Sequence, residues 1–537
     1  MTEKLVKGRE FRDGIQRGIN ELADAVKDTL GPMGNTVVIK NPFGEINITK
    51  DGVSVAEDIH FDSNSIEYLG AELVKNISMR ANNLAGDGTT TATVLSQAIY
   101  NDGIKHLDLG RKALEFKKGV KIASIDILKY LEGKKRDVSP DSPELKAVAL
   151  VSSNGDEEIA ETVTNIYKEL GINAVISVVQ GDSMETTVNM VKGMQFDRGY
   201  ISPYCVTDKI KMKADLENPF IFLYDGKISE FKQIFQAVEY AGQKGRPLIV
   251  VAENVQESAL RGLVINHAQG NVRSAIVQSP GYGKKRSARL KDMAALFGGE
   301  VFDENSDPEQ FNPDDLGEAQ RAEITNLDTA FIGGAGDQEI INERMRFIQS
   351  QLEHYKGNKY EVDILEERLG KLSSGVAMIK VGALSREEGK ELLDRVEDCK
   401  CAVRSALAEG VIEGGGMALY YASKHLERKA FKPVVTESVQ AGYKSLLESV
   451  KAPFRQILLN AGESPDVIEN ELARFEEQRG YDVKKGEYVE NMFEGNIIDP
   501  FKVVRIGLES AVSIVGTLLT SNYAVINKDD TTTTKFT

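Results

Sequence analysis

The texture of the chain changes twice along its length, and that order constrains the fold more than any single motif. Residues 1 to about 135 read mostly as helices, in "FRDGIQRGINELADAVKDTL", "SIEYLGAELVKNISMRANNLA" and the segment after them. Two short strand-like pieces, "NTVVIK" and "EINITKDG", interrupt them around a Pro-Phe-Gly turn. From about 190 to 375, short apolar runs such as "PFIFLYD", "RPLIVVAEN" and "SAIVQSPGYG" alternate with helical segments, as in an α/β domain. After "SSGVAMIKVG" long helical patterns return until about residue 523, ahead of a polar tail, "NKDDTTTTKFT", expected to be unstructured. The order fits an α/β domain inserted into a helical one, or three consecutive domains. Composition does not decide between them.

The chain has 537 residues, enough for about three domains of roughly 150 residues each. Hydrophobic residues make up 41% and charged residues 28%, a core-forming balance. A net charge of -16 disfavours nucleic acid as a partner, because phosphate backbones are held by basic patches. The N-terminus, "MTEKLVKGREFRDG", is charged, and no apolar run approaches the 18 or so residues of a membrane span. No secretory leader and no membrane partner are therefore expected. Cys205, Cys399 and Cys401 are too few for a disulfide framework, and "CKC" lacks zinc-knuckle spacing, so a cytoplasmic location is the expectation. There is no GxxxxGK[ST] loop and no GxSxG elbow, and "GYGKKR" carries only the first two glycines of a dinucleotide fingerprint. The histidines (His60, His106, His267, His354, His425) do not cluster.

One stretch proposes chemistry. "AGDGTTTATVL", residues 85–95, places an aspartate between two glycines and follows them with three threonines. Threonine is a poor helix former, yet Ala92, Val94, Leu95, Ala98 and Ile99 read as a buried helix. The run is thus a loop turning into a helix N-terminus, where unpaired N–H groups and hydroxyls suit an anion such as phosphate. Asp87 would repel that anion unless a divalent cation lay between them. A capped helix after a tight turn is the alternative, and the residues of this stretch alone leave it open.

Seven motifs together carry a resemblance: "TLGPMGNTVVI", "TKDGVSVAEDI", "AGDGTTTATVL", "GMQFDRGYISPY", "GVAMIKVG", "RVEDCKCAVRSA" and "EGVIEGGGMAL". In order and spacing the chain resembles the group I chaperonins, the GroEL/Hsp60 family, from about residue 4 to about 526. The resemblance implies a multidomain α and α/β chaperonin fold. It implies a discontinuous α-helical equatorial ATP-binding domain (1–136 and 410–537), a small intermediate hinge domain (137–192 and 375–409) and an inserted α/β apical client-binding domain (193–374). Gly193 and Gly375 would then lie at an upper hinge, with Pro140 and Gly410 near a lower one. It further implies an ATPase that binds non-native polypeptides and promotes folding, working as a seven-membered homo-oligomeric ring, single or double, with a GroES-like co-chaperonin. A ring-forming holdase with little productive hydrolysis is the alternative.

ATP, Mg2+ and K+ are the implied cofactors. By resemblance, Gly86, Asp87, Gly88, Thr89, Thr90 and Thr91 bind the phosphates, with Asp87 as the Mg2+ ligand. Thr29, Leu30, Gly31 and Pro32 contact the nucleotide beside them, and Lys50 lies on the phosphate side. Gly414 and Gly415 match the surface under purine and ribose, Tyr481, Asp482 and Val483 the base-recognising segment, and Asp499 the ribose-side carboxylate. Many members have asparagine at position 482. Asp398 matches the carboxylate that positions the attacking water, and Asp51 its equatorial partner. Taken without the motifs, "RVED" would be a solvated helix face.

For clients, Tyr200 and Tyr204 match apolar contacts. "EFKQIFQAVEY" and "ALRGLVINHAQ" carry helical stripes of the kind that usually form core. The alignment instead turns Phe235, Val238, Leu260, Val264 and Ile265 toward the cavity mouth. Cys205 stands where the family usually has a large aromatic. Ser464 replaces a glutamate that contacts the opposite ring in double-ring members, while Arg455 and Glu437 are kept. Arg455 is therefore expected to lack a partner and the rings to pair weakly. The glycine- and methionine-rich tail of bacterial members is missing.

Overall fold

Phe11, Ile15, Ile19, Leu22 and Val26 recur every three or four residues, so helix Gly8–Lys27 buries one whole face. That face joins a core shared with helices Ile66–Ala85, Thr89–Asp108, Ala113–Glu132, Glu437–Ser449 and Phe501–Leu518, in which Tyr100, Phe116 and Phe501 are buried. The computed structural model describes residues 3–40, 46–61, 65–172, 174–181, 184–208, 212–306, 311–355, 358–373, 375–428, 436–474 and 479–527. The Pro-Phe-Gly turn and the tail beyond Asn527 lie outside them. The chain divides into two compact units, Met1–Lys168 with Asp394–Thr537, and Glu169–Leu393.

In the first unit, glycines let helices touch backbone to backbone. A Cβ on Gly119 would stand 2.0 Å from Val439 O, and one on Gly442 would stand 2.1 Å from Phe116 O, so the two helices interlock reciprocally. Helices Gly8–Lys27 and Ile66–Ala85 do the same through Gly18 and Gly70, against Glu67 O and Ile15 O. Strand Glu3–Lys7 pairs antiparallel with Tyr523–Asn527, which joins the two ends of the described chain. Val37–Lys40 pairs with Ile46–Thr49. Arg136 and Val411 exchange backbone hydrogen bonds of 2.9 and 2.8 Å where the chain leaves and re-enters the helical core. Gly410, at φ +84°, makes that crossing feasible, because a Cβ there would lie 2.5 Å from Arg136 O.

The second unit is built on one sheet. Parallel strands Ser274–Gln278, Leu248–Ala252 and Phe220–Tyr224 read as continuous apolar runs because both faces are covered. The sheet continues through antiparallel Gly317–Ile324, Thr329–Gly334, Thr187–Phe196 and Gly375–Val381, and ends with Val175–Gln180 parallel to the last of these. Gly193 lies inside a strand, where a Cβ would meet Val376 Cγ2 at 2.2 Å and Phe331 O at 2.4 Å; close approach requires this glycine. Buried Asp292 accepts from Arg344 Nε (2.6 Å) and from Arg368 Nε and Nη2 (2.6 and 2.9 Å), pinning three helices together. Among the described residues no helix is long and apolar enough to cross a membrane.

One expectation is corrected. Arg455 has partners: its guanidinium forks onto Glu469 (Nε–Oε1 2.5 Å, Nη2–Oε2 3.0 Å) and its Nη1 reaches Glu448 at 2.5 Å. Arg455 is thus paired within its own chain, by acids on the helices before and after its own. Ser464 stands at the N-cap of helix Pro465–Leu472 without a side-chain capping bond.

The interlocked glycines generate a stability prediction. Alanine at position 442 gains about 1 kcal/mol of helix propensity but drives a methyl into an immovable carbonyl, an overpacking of about 1–3 kcal/mol or more. Gly442→Ala is expected to lower the urea midpoint of the full chain, and an unchanged or raised midpoint would refute the interlock.

Candidate nucleotide site

Helix Ile66–Ala85 ends on Gly86 (φ +74°), and helix Thr89–Asp108 starts after Gly88 (φ +89°), so only Asp87 separates two left-handed glycines. Both glycines are also required by space. A Cβ on Gly86 would lie 2.3 Å from Cys401 Cβ, and one on Gly88 would lie 2.7 Å from Val503 Cγ1. The N–H of Gly88 donates to the Asp87 carboxylate. No side chain among the described residues caps helix Thr89–Asp108, and the buried Thr89 hydroxyl has no hydrogen-bond partner. An uncapped N-terminus with an orphaned hydroxyl fits an anion.

Asp51 is set by its own helix. It caps Gly52–Asp58, accepting from Val53 N (3.0 Å), Ser54 N (2.9 Å) and Ser54 Oγ (2.8 Å). Next to it, a Cβ on Gly52 would meet Thr90 Oγ1 at 2.2 Å and Thr29 Oγ1 at 3.4 Å, so hydroxyls from two further segments gather there. Lys50 Nζ donates to Pro32 O at 3.1 Å, tying the same segments together. Burial, then the positive charges of Lys484 and Arg395, hold the Lys50 ammonium below its usual range.

The acids face one another. Burial pushes the Asp87 carboxyl up and Asp51 adds to this, against the pull of the Gly88 N–H. Asp398, on helix Arg386–Glu409, is driven well above the carboxylate range by burial and then by the charges of Asp87 and Asp51. Burial and then Asp87 push Asp499 up to about 7, although Gly415 N–H donates to it at 3.1 Å. Mutually repelling carboxylates of this kind fit a cation. Among the described residues no three His, Cys, Asp or Glu side chains form a metal cage by themselves.

On the far side, a Cβ on Gly414 would lie 3.0 Å from Asp499 Oδ1, and Gly415 has φ +64°. Tyr481 donates to Glu463 Oε1 at 2.8 Å and meets Tyr488 edge-on at 5.2 Å. Val483 packs on the small core of Met417, Tyr420 and Phe454. Asp482 accepts from Lys484 N (3.0 Å) and Lys485 N (3.4 Å), so its carboxylate serves the turn of its own hairpin. Thr29 donates to Val26 O at 2.8 Å, and Gly31 (φ +83°) sits over Ile457.

Asn460 was not among the expected residues. Its Nδ2 donates to Lys27 O (2.9 Å) and Leu30 O (2.8 Å), clamping the Thr29–Pro32 segment. Nothing in "RQILLNAGES" marks it, because its partners lie more than four hundred residues away in sequence.

In the second unit the expected client contacts divide. Tyr204 is 76% exposed, Ile265 53% and Phe235 49%, while Tyr200, Leu260 and Val264 are half-buried against the core. Val238 is a correction: at 5% exposure it faces the core of this unit, because helix Lys232–Lys244 lays Ile234, Ala237, Val238 and Ala241 inward. Cys205 is buried too, one residue after outward-facing Tyr204 in the turn Pro203–Cys205, so its small size is a matter of packing.

Comparison with known proteins identifies the family and the fold. Residues 22–529 match the model of the TCP-1/cpn60 chaperonin family. Among solved structures, the chaperonin gp146 from bacteriophage EL 2 (Pseudomonas aeruginosa), crystallised in the presence of ATP-BeFx, is similar in two crystal forms. Each covers 98% of this chain and 99% of that one at 22% identity, with TM-scores of 0.68 and 0.63, which is a likeness of fold. The family model spans nearly the whole sequence, and the chain belongs to the TCP-1/cpn60 chaperonin family.

Proposed function

We propose that this chain is an ATP-driven folding chaperone that works as a seven-membered ring, single or double, with a GroES-like co-chaperonin as its lid. The observation that carries the reading is the meeting of Asp51, Asp87 and Asp398 at a glycine-flanked, uncapped helix N-terminus in a chain of this family. In this reading residues 1–136 with 410–537 hold the nucleotide, 137–192 with 375–409 form the hinge piece, and 193–374 bind clients.

The amides and hydroxyls of Thr89, Thr90 and Thr91 hold the phosphates, and Gly86 and Gly88 let the backbone come close. Asp87 would hold Mg2+, with K+ nearby; the metal supplies charge neutralisation on the phosphate oxygens. Lys50 adds a cation on the phosphate side. Gly414 and Gly415 lie under purine and ribose, Asp499 beside the ribose, and Tyr481 to Val483 along the base. Asp398 orients the attacking water, and Asp51 assists from a position fixed by its own helix cap. Because Asp398 sits on the hinge piece, turnover would depend on closure. Exposed Tyr204, Phe235 and Ile265, flanked by Tyr200, Leu260 and Val264, offer non-native chains an apolar surface that reads no particular sequence.

Purified protein assayed for K+- and Mg2+-dependent ATP hydrolysis and for refolding of a denatured enzyme, with mass measured by light scattering, tests the whole reading. Client binding without turnover would instead establish a holdase. Asp398→Ala is expected to leave ATP affinity within about twofold while turnover falls by two or more orders of magnitude, because only water positioning is lost. A parallel fall in affinity and turnover would contradict that role. Asp87→Ala should abolish the Mg2+-dependent part of nucleotide binding; titrations with and without Mg2+ that still differ in this variant would remove Asp87 from the metal site. Asn460→Ala frees the Thr29–Pro32 segment, and a three- to tenfold weaker ATP affinity is expected for the one to two hydrogen bonds lost. Unchanged affinity by calorimetry would exclude the clamp.

A further inference from the structure

Asp398 is not the only residue that helix Arg386–Glu409 turns toward the phosphate loop. Positions 398, 401 and 405 follow at i, i+3 and i+7, along one face of the helix. Ser405, buried at 3% exposure, donates its hydroxyl to Ala85 O at 2.7 Å. Ala85 is the last residue of helix Ile66–Ala85, so its carbonyl is one of those that the helix itself leaves without a partner. One turn nearer Asp398, Cys401 lies so close that a Cβ on Gly86 would be 2.3 Å from its Cβ and 2.6 Å from its Sγ. The next residue after Gly86 is Asp87. Two contacts on successive turns fix the roll and depth of a rigid helix, and Asp398 lies about 10 Å from Ser405 along the axis.

We infer that Ser405 is a positioning residue for ATP hydrolysis: its bond to Ala85 O, with Cys401 seated on Gly86, sets the helix so that Asp398 is presented to Asp87. The inference rests on the reading of Asp398 as the water-orienting carboxylate. Ser405 touches neither nucleotide nor water in this account; it acts through the angle of the helix. Small misplacements of a catalytic group lower turnover strongly without changing ground-state binding.

The test is a double-mutant cycle in the assembled full chain, with ATP turnover and ATP affinity measured for Ser405→Ala, Asp398→Ala and the pair. Ser405→Ala is expected to lower kcat about tenfold with ATP affinity within twofold, and the double variant to be no slower than Asp398→Ala alone. Ser405→Thr, which keeps the hydroxyl, should recover most of the turnover. A normal kcat in Ser405→Ala, a tenfold loss repeated in the Asp398→Ala background, or a parallel loss of affinity overturns the inference. If Asp398→Ala itself hydrolyses ATP normally, the reading of Asp398 falls and this inference with it. If Asp398→Ala is inactive while Ser405→Ala is normal, only the inference falls. Should Ser405→Ala fail to assemble, Cys401→Leu, which wedges the helix off Gly86, must give the same kcat loss at constant affinity; normal turnover there overturns it equally.

Discussion

Repulsion among Asp51, Asp87, Asp398 and Asp499 is the constraint around which the first unit is arranged. Burial leaves Asp87, Asp398 and Asp499 poorly hydrated, and the neighbouring carboxylates add to the cost of charging them. A fold keeps such a cluster only if the backbone beneath it is held from every side. The supports are visible: the cap of Gly52–Asp58 under Asp51, two left-handed glycines around Asp87, the Gly415 amide on Asp499 and the Ser405 bond beneath Asp398's helix. Each holds a carboxylate, or the helix that carries it, through backbone geometry.

The parts of this site that were legible in the sequence are those whose chemistry is local. Gly-Asp-Gly before three threonines announces a tight turn feeding a helix N-terminus, and the fold has that turn, with Gly86 and Gly88 both at positive φ. The alternation of apolar runs with helical segments likewise marked the α/β portion, whose strands Phe220–Tyr224 and Leu248–Ala252 are fully buried. Residues whose role depends on distant partners were not legible. Asn460 and Ser405 are common residue types in ordinary helical surroundings, and only the fold brings them to Leu30 and Ala85. The expectation for Arg455 failed for the same reason. Glu448 lies on the preceding helix and Glu469 on the following one, and no spacing rule pairs them.

The stripes on helices Lys232–Lys244 and Glu257–Ala268 show a finer limit. An apolar stripe says that a helix has a buried face, but its width decides how much is left over. On the first helix Ile234, Ala237, Val238 and Ala241 fill the inner face, so Phe235 is surplus and stands out, edge-on to Phe231 at 6.1 Å. On the second, Ala259 and Leu263 are fully buried while Ile265 is exposed. Phe231 binds the two helices by lying where a Cβ on Gly262 would be 2.4 Å from its ring. Outward apolar residues thus sit on a rigid base.

The pairing of strand Glu3–Lys7 with Tyr523–Asn527, and of helix Ala113–Glu132 with Glu437–Ser449, has a consequence for the chain's own birth. Phe116, Gly119 and Val120 emerge from the ribosome some three hundred residues before their partners around Val439 and Tyr443 exist. At about 5–20 residues per second, that interval lasts tens of seconds. Throughout it the faces that the early helices reserve for the C-terminal helices stay uncovered, while residues 169–393 gain the last strand of their sheet, Gly375–Val381, before it ends. The contacts that complete the first unit are among the most distant in sequence that the chain contains, and such contacts form slowly. Newly made copies of this protein are therefore themselves sticky, half-finished chains, of the same physical kind as the non-native proteins they are built to receive.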